Sequence, residues 1–161
     1  MKVTLERVNR IFTILLLITA CAVGVQAQTY PVRVNTQITP PYSAYLSDYT
    51  ASGSQQLSVT FMLNDPTLTE YRGKLRLTIE GVGITIRTKQ NFIPQQPLVL
   101  PGGGIPLQLY GEDIAEYFNP ANLDFAGISR SQYEKGAKLP EGVYRFTLEV
   151  LDYNRGTLVS N

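Results

Sequence analysis

Apolar and polar residues alternate along much of the chain with the two-residue period of strands buried on one face. From Tyr30 to Thr39, Val32, Val34 and Ile38 alternate with Arg33, Asn35, Gln37 and Thr39, and Pro40-Pro41 ends the run. From Gln56 to Asn64 the inward set is Leu57, Val59, Phe61 and Leu63, before Asn64-Asp65-Pro66 breaks the pattern. Lys74 to Glu80 places Leu75, Leu77 and Ile79 on one face and Lys74, Arg76, Thr78 and Glu80 on the other. Gly81-Val82-Gly83 then reads as a short turn into a neighbouring strand in which Ile84, Ile86 and Thr88 share a face. Leu98 to Leu100 and Ile105 to Tyr110 are shorter strand candidates. Pro101-Gly102-Gly103-Gly104 between them has no strand–GxxxxGK[ST]–helix context and reads as a flexible turn, not a phosphate cradle.

The last long alternation, in LPEGVYRFTLEVLDYNRG (Leu139 to Gly156), follows a Pro140-Glu141-Gly142 turn and sets Tyr144, Phe146, Leu148 and Val150 against Arg145, Thr147 and Glu149. Tyr144 stands where the corner tyrosine stands near the start of a late strand in immunoglobulin-like sandwiches, its hydroxyl tied to upstream backbone. This stretch is read as the central strand of the fold. Two brief helical signals interrupt the strands. One runs from Gly111 to Phe118 with Glu112 and Asp113 in its first turn, Ile114, Tyr117 and Phe118 expected to press on the end of the sandwich and Asn119-Pro120 as its stop. The other starts at Ser129, with Gln132 in capping-box spacing, and ends at Lys135-Gly136. The expected fold is therefore all-β: an immunoglobulin-like or fibronectin-like antiparallel β-sandwich with one or two short helical turns. The stretch from Thr157 to Asn161 is too short to complete a ladder along a central strand, which predicts an unpaired edge and self-association or marginal stability of residues 28–161 alone.

The first residues add a destination. Lys2, Arg7 and Arg10 precede an apolar run from Ile11 to Val25, and Val25-Gln26-Ala27 has small residues where a signal peptidase reads them. Residues 1–27 are read as a signal peptide and residues 28–161 as one sandwich domain, open to being the first module of a longer protein. The run is short of the ~20 residues a bilayer crossing needs. A rival processing site, Ile18-Thr19-Ala20-Cys21, would leave Cys21 lipidated and the protein membrane-held, but the apolar run continues past the cysteine. The expected location is outside the cytoplasm: periplasm, outer-membrane surface or extracellular space.

Composition limits the chemistry. Without residues 1–27 the chain keeps 11 of 14 basic and 12 of 13 acidic residues, a net charge of −1, with no pattern that calls for nucleic acid. It has no histidine, and its one cysteine lies in the signal segment, which removes imidazole-based nucleophilic mechanisms and the usual zinc and copper sites. No catalytic residue, metal site or cofactor is expected. Glu112 and Glu116 fall at i, i+4, a spacing a paired-acid enzyme could use, but a first-turn cluster complementing the helix dipole accounts for the same residues. Asp65 and the Asp152-Tyr153-Asn154 turn offer oxygens for calcium without the spacing of a ligand loop. The segment YSAYLSDY supplies Tyr42, Tyr45 and Tyr49, read either as a glycan-stacking or partner-docking platform or as a crossover covering the sandwich end.

PPYSAYLSDY (Pro40 to Tyr49), QLSVTFMLND, PLQLYGEDIAEYF and LPEGVYRFTLEVLDYNRG followed by TLVSN together resemble the N-terminal module of large exported Bacteroidetes proteins of the TANFOR type, which carry fibronectin-like or immunoglobulin-like repeats. The likeness covers most of residues 28–161 and rests on patterned segments, with no catalytic motif to carry over. It implies a structural or interaction module of a cell-envelope protein, not an enzyme, with a protein or further modules of its own chain as partner. A carbohydrate-binding module using the tyrosine-rich loop is the alternative.

Overall fold

The computed structural model describes residues 30–136 and 138–160; residues 1–27, read above as a signal peptide, and with them Cys21, lie outside the described residues. Two antiparallel sheets form a sandwich. The smaller joins β1 (Val32–Ile38), β2 (Leu57–Leu63) and β6 (Leu107–Tyr110), with β2 in the middle. The larger is built on β3 (Glu70–Gly81), with β4 (Ile84–Thr88), β5 (Leu98–Pro101), β7 (Leu123–Ala126) and β8 (Arg145–Asp152) around it. Alternation decides which side chains go between the sheets. Leu57, Val59, Phe61 and Leu63 of β2 are buried, as are Leu75, Leu77 and Ile79 of β3 and Leu148 and Val150 of β8. The pairs Leu75 with Val150, Leu77 with Leu148 and Ile79 with Phe146 stand directly opposite one another across β3 and β8. Such cross-strand apolar pairs each add a few tenths to about 1 kcal/mol.

The strand that organises the larger sheet is β3, a correction to the reading of the Leu139–Gly156 stretch as central. β8 lies along one edge of β3 from Gly73 to Glu80. The opposite edge carries β5 over Glu70–Gly73 and β4 over Thr78–Gly81, end to end, and β7 continues the sheet beyond β4. A single twelve-residue strand is long enough to hold three partners, whereas β8 has a full ladder on one side only. On its other side, Leu158 bridges Leu151, and Ser160 passes across to bridge Val32 of β1 in parallel. Residues 157–160 thus tie the two sheets together at one end.

The helical segments close the remaining gaps. A 3₁₀ segment, Gly111–Phe118, buries Ile114, Tyr117 and Phe118 as expected, and Asp113 accepts the Tyr110 amide at 2.7 Å at its start. It packs beside α1 (Leu46–Thr50), which buries Leu46 and Tyr49. Gly111 is required there, because a Cβ would stand 1.7 Å from the Tyr49 carbonyl oxygen. In α2 (Arg130–Gly136) the expected box forms: Ser129 Oγ accepts the Gln132 amide at 3.1 Å, and Gln132 Oε1 accepts the Ser129 amide at 3.0 Å. No helix among the described residues is long and apolar enough to cross a membrane.

Candidate functional site

Among the described residues, β1 and β8 each have a side that no strand covers, and hydrogen-bond parity identifies the groups involved. Thr39 N–H donates to the Gln56 carbonyl at 2.8 Å and Asn64 N–H to the Pro31 carbonyl at 2.7 Å, so the odd-numbered residues of β1 bond to β2. Tyr153 N–H donates to the Arg72 carbonyl at 3.2 Å, so the odd-numbered residues of β8 bond to β3. The even-numbered residues of both strands therefore aim their backbone groups outward. Where residues 157–160 pass, those groups are met: Val32 N–H donates to the Val159 carbonyl, Val159 N–H to the Val150 carbonyl, and Val150 N–H to Ser160 Oγ at 2.7 Å. Farther along, Thr36 and Ile38 of β1 and Phe146 and Leu148 of β8 have no backbone partner on that side among the described residues.

Burial follows the same division. Val32 and Val150, beside the covering segment, are fully buried, while Val34, Ile38, Phe146 and Tyr144 on the same inward faces are only partly buried. The uncovered edges open into a cleft of about 810 Å³ lined by Ile38, Tyr49, Leu139, Tyr144 and Phe146, with Tyr42 and Val143 at its mouth. Val143 is 90 % exposed and Tyr42 73 %, a large apolar exposure for two neighbouring loops.

Local hydrogen bonds hold the walls. Tyr49 Oη accepts the Ser43 amide at 2.9 Å and donates to the Ser43 carbonyl at 2.8 Å, which folds the loop over its own ring. That ring lies 5.7 Å from the ring of Phe146. Ser43 Oγ donates to the Asp48 carboxylate and accepts the Tyr45 amide, fixing the approach to α1. Leu139 N–H donates to the Ala44 carbonyl at 2.8 Å, joining the tyrosine loop to the segment before β8. The Tyr144 hydroxyl donates to the Pro140 carbonyl at 3.0 Å, the upstream tie its position predicts, and so sets the wall that carries Val143.

The three tyrosines singled out in the sequence do not form one platform. Tyr49 is buried, 3 % exposed, whereas Tyr42 and Tyr45 stand in solvent at 73 % and 42 %. The i, i+4 pairing of Glu112 and Glu116 also fails, because the segment is 3₁₀, with about three residues per turn, and four-residue neighbours do not stack. Glu112 accepts the Gly53 amide at 3.0 Å and Glu116 the Gln95 amide at 3.2 Å, so the two acids clip different loops. Asp65 and Asp152 likewise sit in separate turns. Asp65 accepts the amide and hydroxyl of Thr67, and Asp152 Oδ1 accepts the Asn154 and Arg155 amides while Oδ2 accepts the Tyr71 hydroxyl at 2.7 Å. Those bonds hold both carboxyls below the usual carboxylate range, the Thr67 hydroxyl leading for Asp65 and the Arg155 amide for Asp152.

A second concavity, about 590 Å³, lies on the outer face of the larger sheet and is lined by Lys74, Arg76, Arg87, Lys89, Asp124 and Arg155 among others. Three of its cations have internal work: Arg76 pairs with Glu149 at 2.7 Å, Arg87 Nε donates to Thr78 Oγ1 at 3.4 Å, and Lys89 Nζ donates to the Ala121 carbonyl at 2.8 Å. The β1–β8 cleft is different in kind, since a row of main-chain donors and acceptors lies beside uncovered apolar side chains. Side-chain alternation could not locate it, because edge pairing is a property of the backbone. No family model, curated protein or solved structure matches the chain.

Proposed function

We propose that this chain is a non-enzymatic interaction module of an exported cell-envelope protein, binding a protein partner through the cleft between β1 and β8. The observation that supports this best is the coincidence of unpaired strand edges with the exposed apolar groups Tyr42 and Val143. Exposed apolar patches rimmed by polar residues are a mark of interaction surfaces and ligand grooves. The signal-like leader and the resemblance to TANFOR-type modules support the envelope setting, and immunoglobulin-like ancestry of the sandwich belongs to the same proposal. A photo-cross-linking residue at Val143 is expected to trap one reproducible polypeptide in cells. The same residue at Ile105, which precedes β6 on the far edge of the smaller sheet, is expected to trap none. Equal capture at both positions would reject the cleft as the binding face. Deleting residues 2–27 is expected to retain the protein in the cytoplasm, and its continued export would overturn the location.

The exposure of Tyr42 and Tyr45 favours one further reading, a glycan stacked on two rings instead of three. A glycan array probed with the wild type and with Tyr42→Ala decides it: binding lost in the variant supports it, and an array without signal removes it.

A further inference from the structure

We propose that the basic concavity on the outer face of the larger sheet binds an acidic saccharide, a sugar chain that carries sulfate, phosphate or carboxylate groups. It shares no lining residue with the β1–β8 cleft and does not depend on the reading of that cleft. The hollow has a structural cause. Along one edge of β3, β5 pairs as far as Gly73 and β4 pairs from Thr78, so Lys74 to Leu77 have no strand beside them there. Side chains take over the ladder: the Tyr117 hydroxyl accepts the Leu75 amide at 3.2 Å and the Thr88 hydroxyl accepts the Leu77 amide at 2.9 Å. Lys89 then leaves the sheet, its amide donating to the Asn122 carbonyl at 2.9 Å and its carbonyl accepting the Phe92 amide at 3.1 Å. On the other rim, the turn after β8 is fixed by Asp152, which accepts the Arg155 amide at 2.7 Å. Both rims are thus held by the protein's own bonds, which lowers the ordering cost of binding.

The charge in this hollow is unbalanced. Lys74, Arg76, Arg87, Lys89 and Arg155 line it against one carboxylate, Asp124, a net of +4, in a chain that beyond residue 27 carries −1. Counting Glu149, paired with Arg76, and Asp152, at the base of the turn, still leaves +2. Among the described residues the side chains of Arg76, Arg87 and Lys89 each use one donor, of about five on a guanidinium and three on an ammonium. Lys74 and Arg155 form no ion pair among the described residues. Alternate residues of a strand stand about 7 Å apart and neighbouring strands about 4.8 Å, so the positive charge extends farther than one small anion. An adjoining depression that shares Lys89, Gln90 and Asp124 and adds Asn91 lengthens it. A chain with repeated acidic groups matches that layout. The exposed Gln90, Asn154 and Asp124 suit hydroxyl groups, which a sugar supplies between its charges. The one aromatic ring in the lining, Phe92, packs edge-on against Tyr117 and offers no platform on which bases stack.

The test titrates the whole protein at low salt with a sulfated heparin hexasaccharide and with an oligogalacturonate. Neutral dextran, inorganic sulfate, polyglutamate and single-stranded DNA serve as comparisons. At least one acidic saccharide is expected to bind, to raise the thermal midpoint and to weaken as salt is added. Lys74→Gln with Arg155→Gln is expected to keep the unliganded midpoint and to weaken binding about tenfold or more, whereas Lys74→Arg retains it. Arg33→Gln with Arg145→Gln, the same charge change outside the hollow, is expected to alter binding less than about threefold. Tyr42→Ala is expected to leave it unchanged. Failure of both acidic saccharides, equal binding of dextran, or equal loss in the two double variants would overturn the proposal. So would sulfate, polyglutamate or DNA binding as tightly as the saccharides, or loss of binding in Tyr42→Ala, which would move the glycan to the tyrosine loop.

Discussion

Val82 has φ of 51°, in the left-handed region that a β-branched side chain rarely adopts, and it is followed by Gly83 at 73°. Two successive positive φ values between paired strands make the tight hairpin in which Asn-Gly is favoured. Val82→Asn is therefore expected to stabilise the protein by roughly 0.5–1 kcal/mol, read as a rise in the denaturant midpoint at unchanged slope. Gly111→Ala should do the reverse, at a cost of about 2 kcal/mol or more, since the Tyr49 carbonyl occupies the space its Cβ needs. Titration has a sign at each end of the pH range. Asp65 and Asp152 are depressed below their ordinary 3.8, so their contribution to stability is complete above that value and is lost below it, as pH falls through their lowered folded-state range. Tyr71, Tyr117 and Tyr133 are pushed up to about 12, chiefly by burial, and for Tyr71 also by its bond to Asp152. Their contribution is complete below pH 10 and lost as pH rises from 10 through 12. Tyr71→Phe is expected to soften that alkaline loss in a denaturation series across pH 9 to 12, and an unchanged profile would refute the assignment.

At the scale of elements, β1, β2, the core of β3, β4 and β8 were legible because each alternates over five residues or more against one buried face. β7 was not, since Leu123–Ala126 offers only two inward residues between a proline stop and a helix cap. The central position was assigned to β8 for a related reason. Side-chain period reports which face is buried and is silent on how many strands lie along each edge. The acid pair was misplaced because its spacing assumes 3.6 residues per turn, which the 3₁₀ segment does not have. The cap of α2 was legible because capping is local. Ser129→Ala is expected to lower stability by about 1 kcal/mol, as α2 carries the buried Tyr133, whose ring lies 5.3 Å from that of Phe125. Tyr144→Phe should lose about 1 kcal/mol with its bond to Pro140 and loosen the cleft wall. Equal chemical-denaturation midpoints for either variant and wild type would contradict these roles.

At the scale of the whole fold, residues 157–160 join the two sheets at one end, and farther along no described strand covers the facing edges of β1 and β8. An open apolar edge carries a risk of aggregation, and the protein bears it beside a cleft framed by well-bonded loops. The central claim is that these edges are free to pair, and amide hydrogen exchange of the unliganded protein reads this residue by residue. The odd-numbered amides of Asn35, Gln37, Thr147 and Glu149 lie in ladders, and the neighbouring even-numbered amides point outward. The account predicts slow exchange for the odd set and for Val32 and Val150, and fast exchange for Thr36, Ile38, Phe146 and Leu148. Uniformly slow exchange along both strands in dilute monomer would mean that the edge is already covered, and would contradict it.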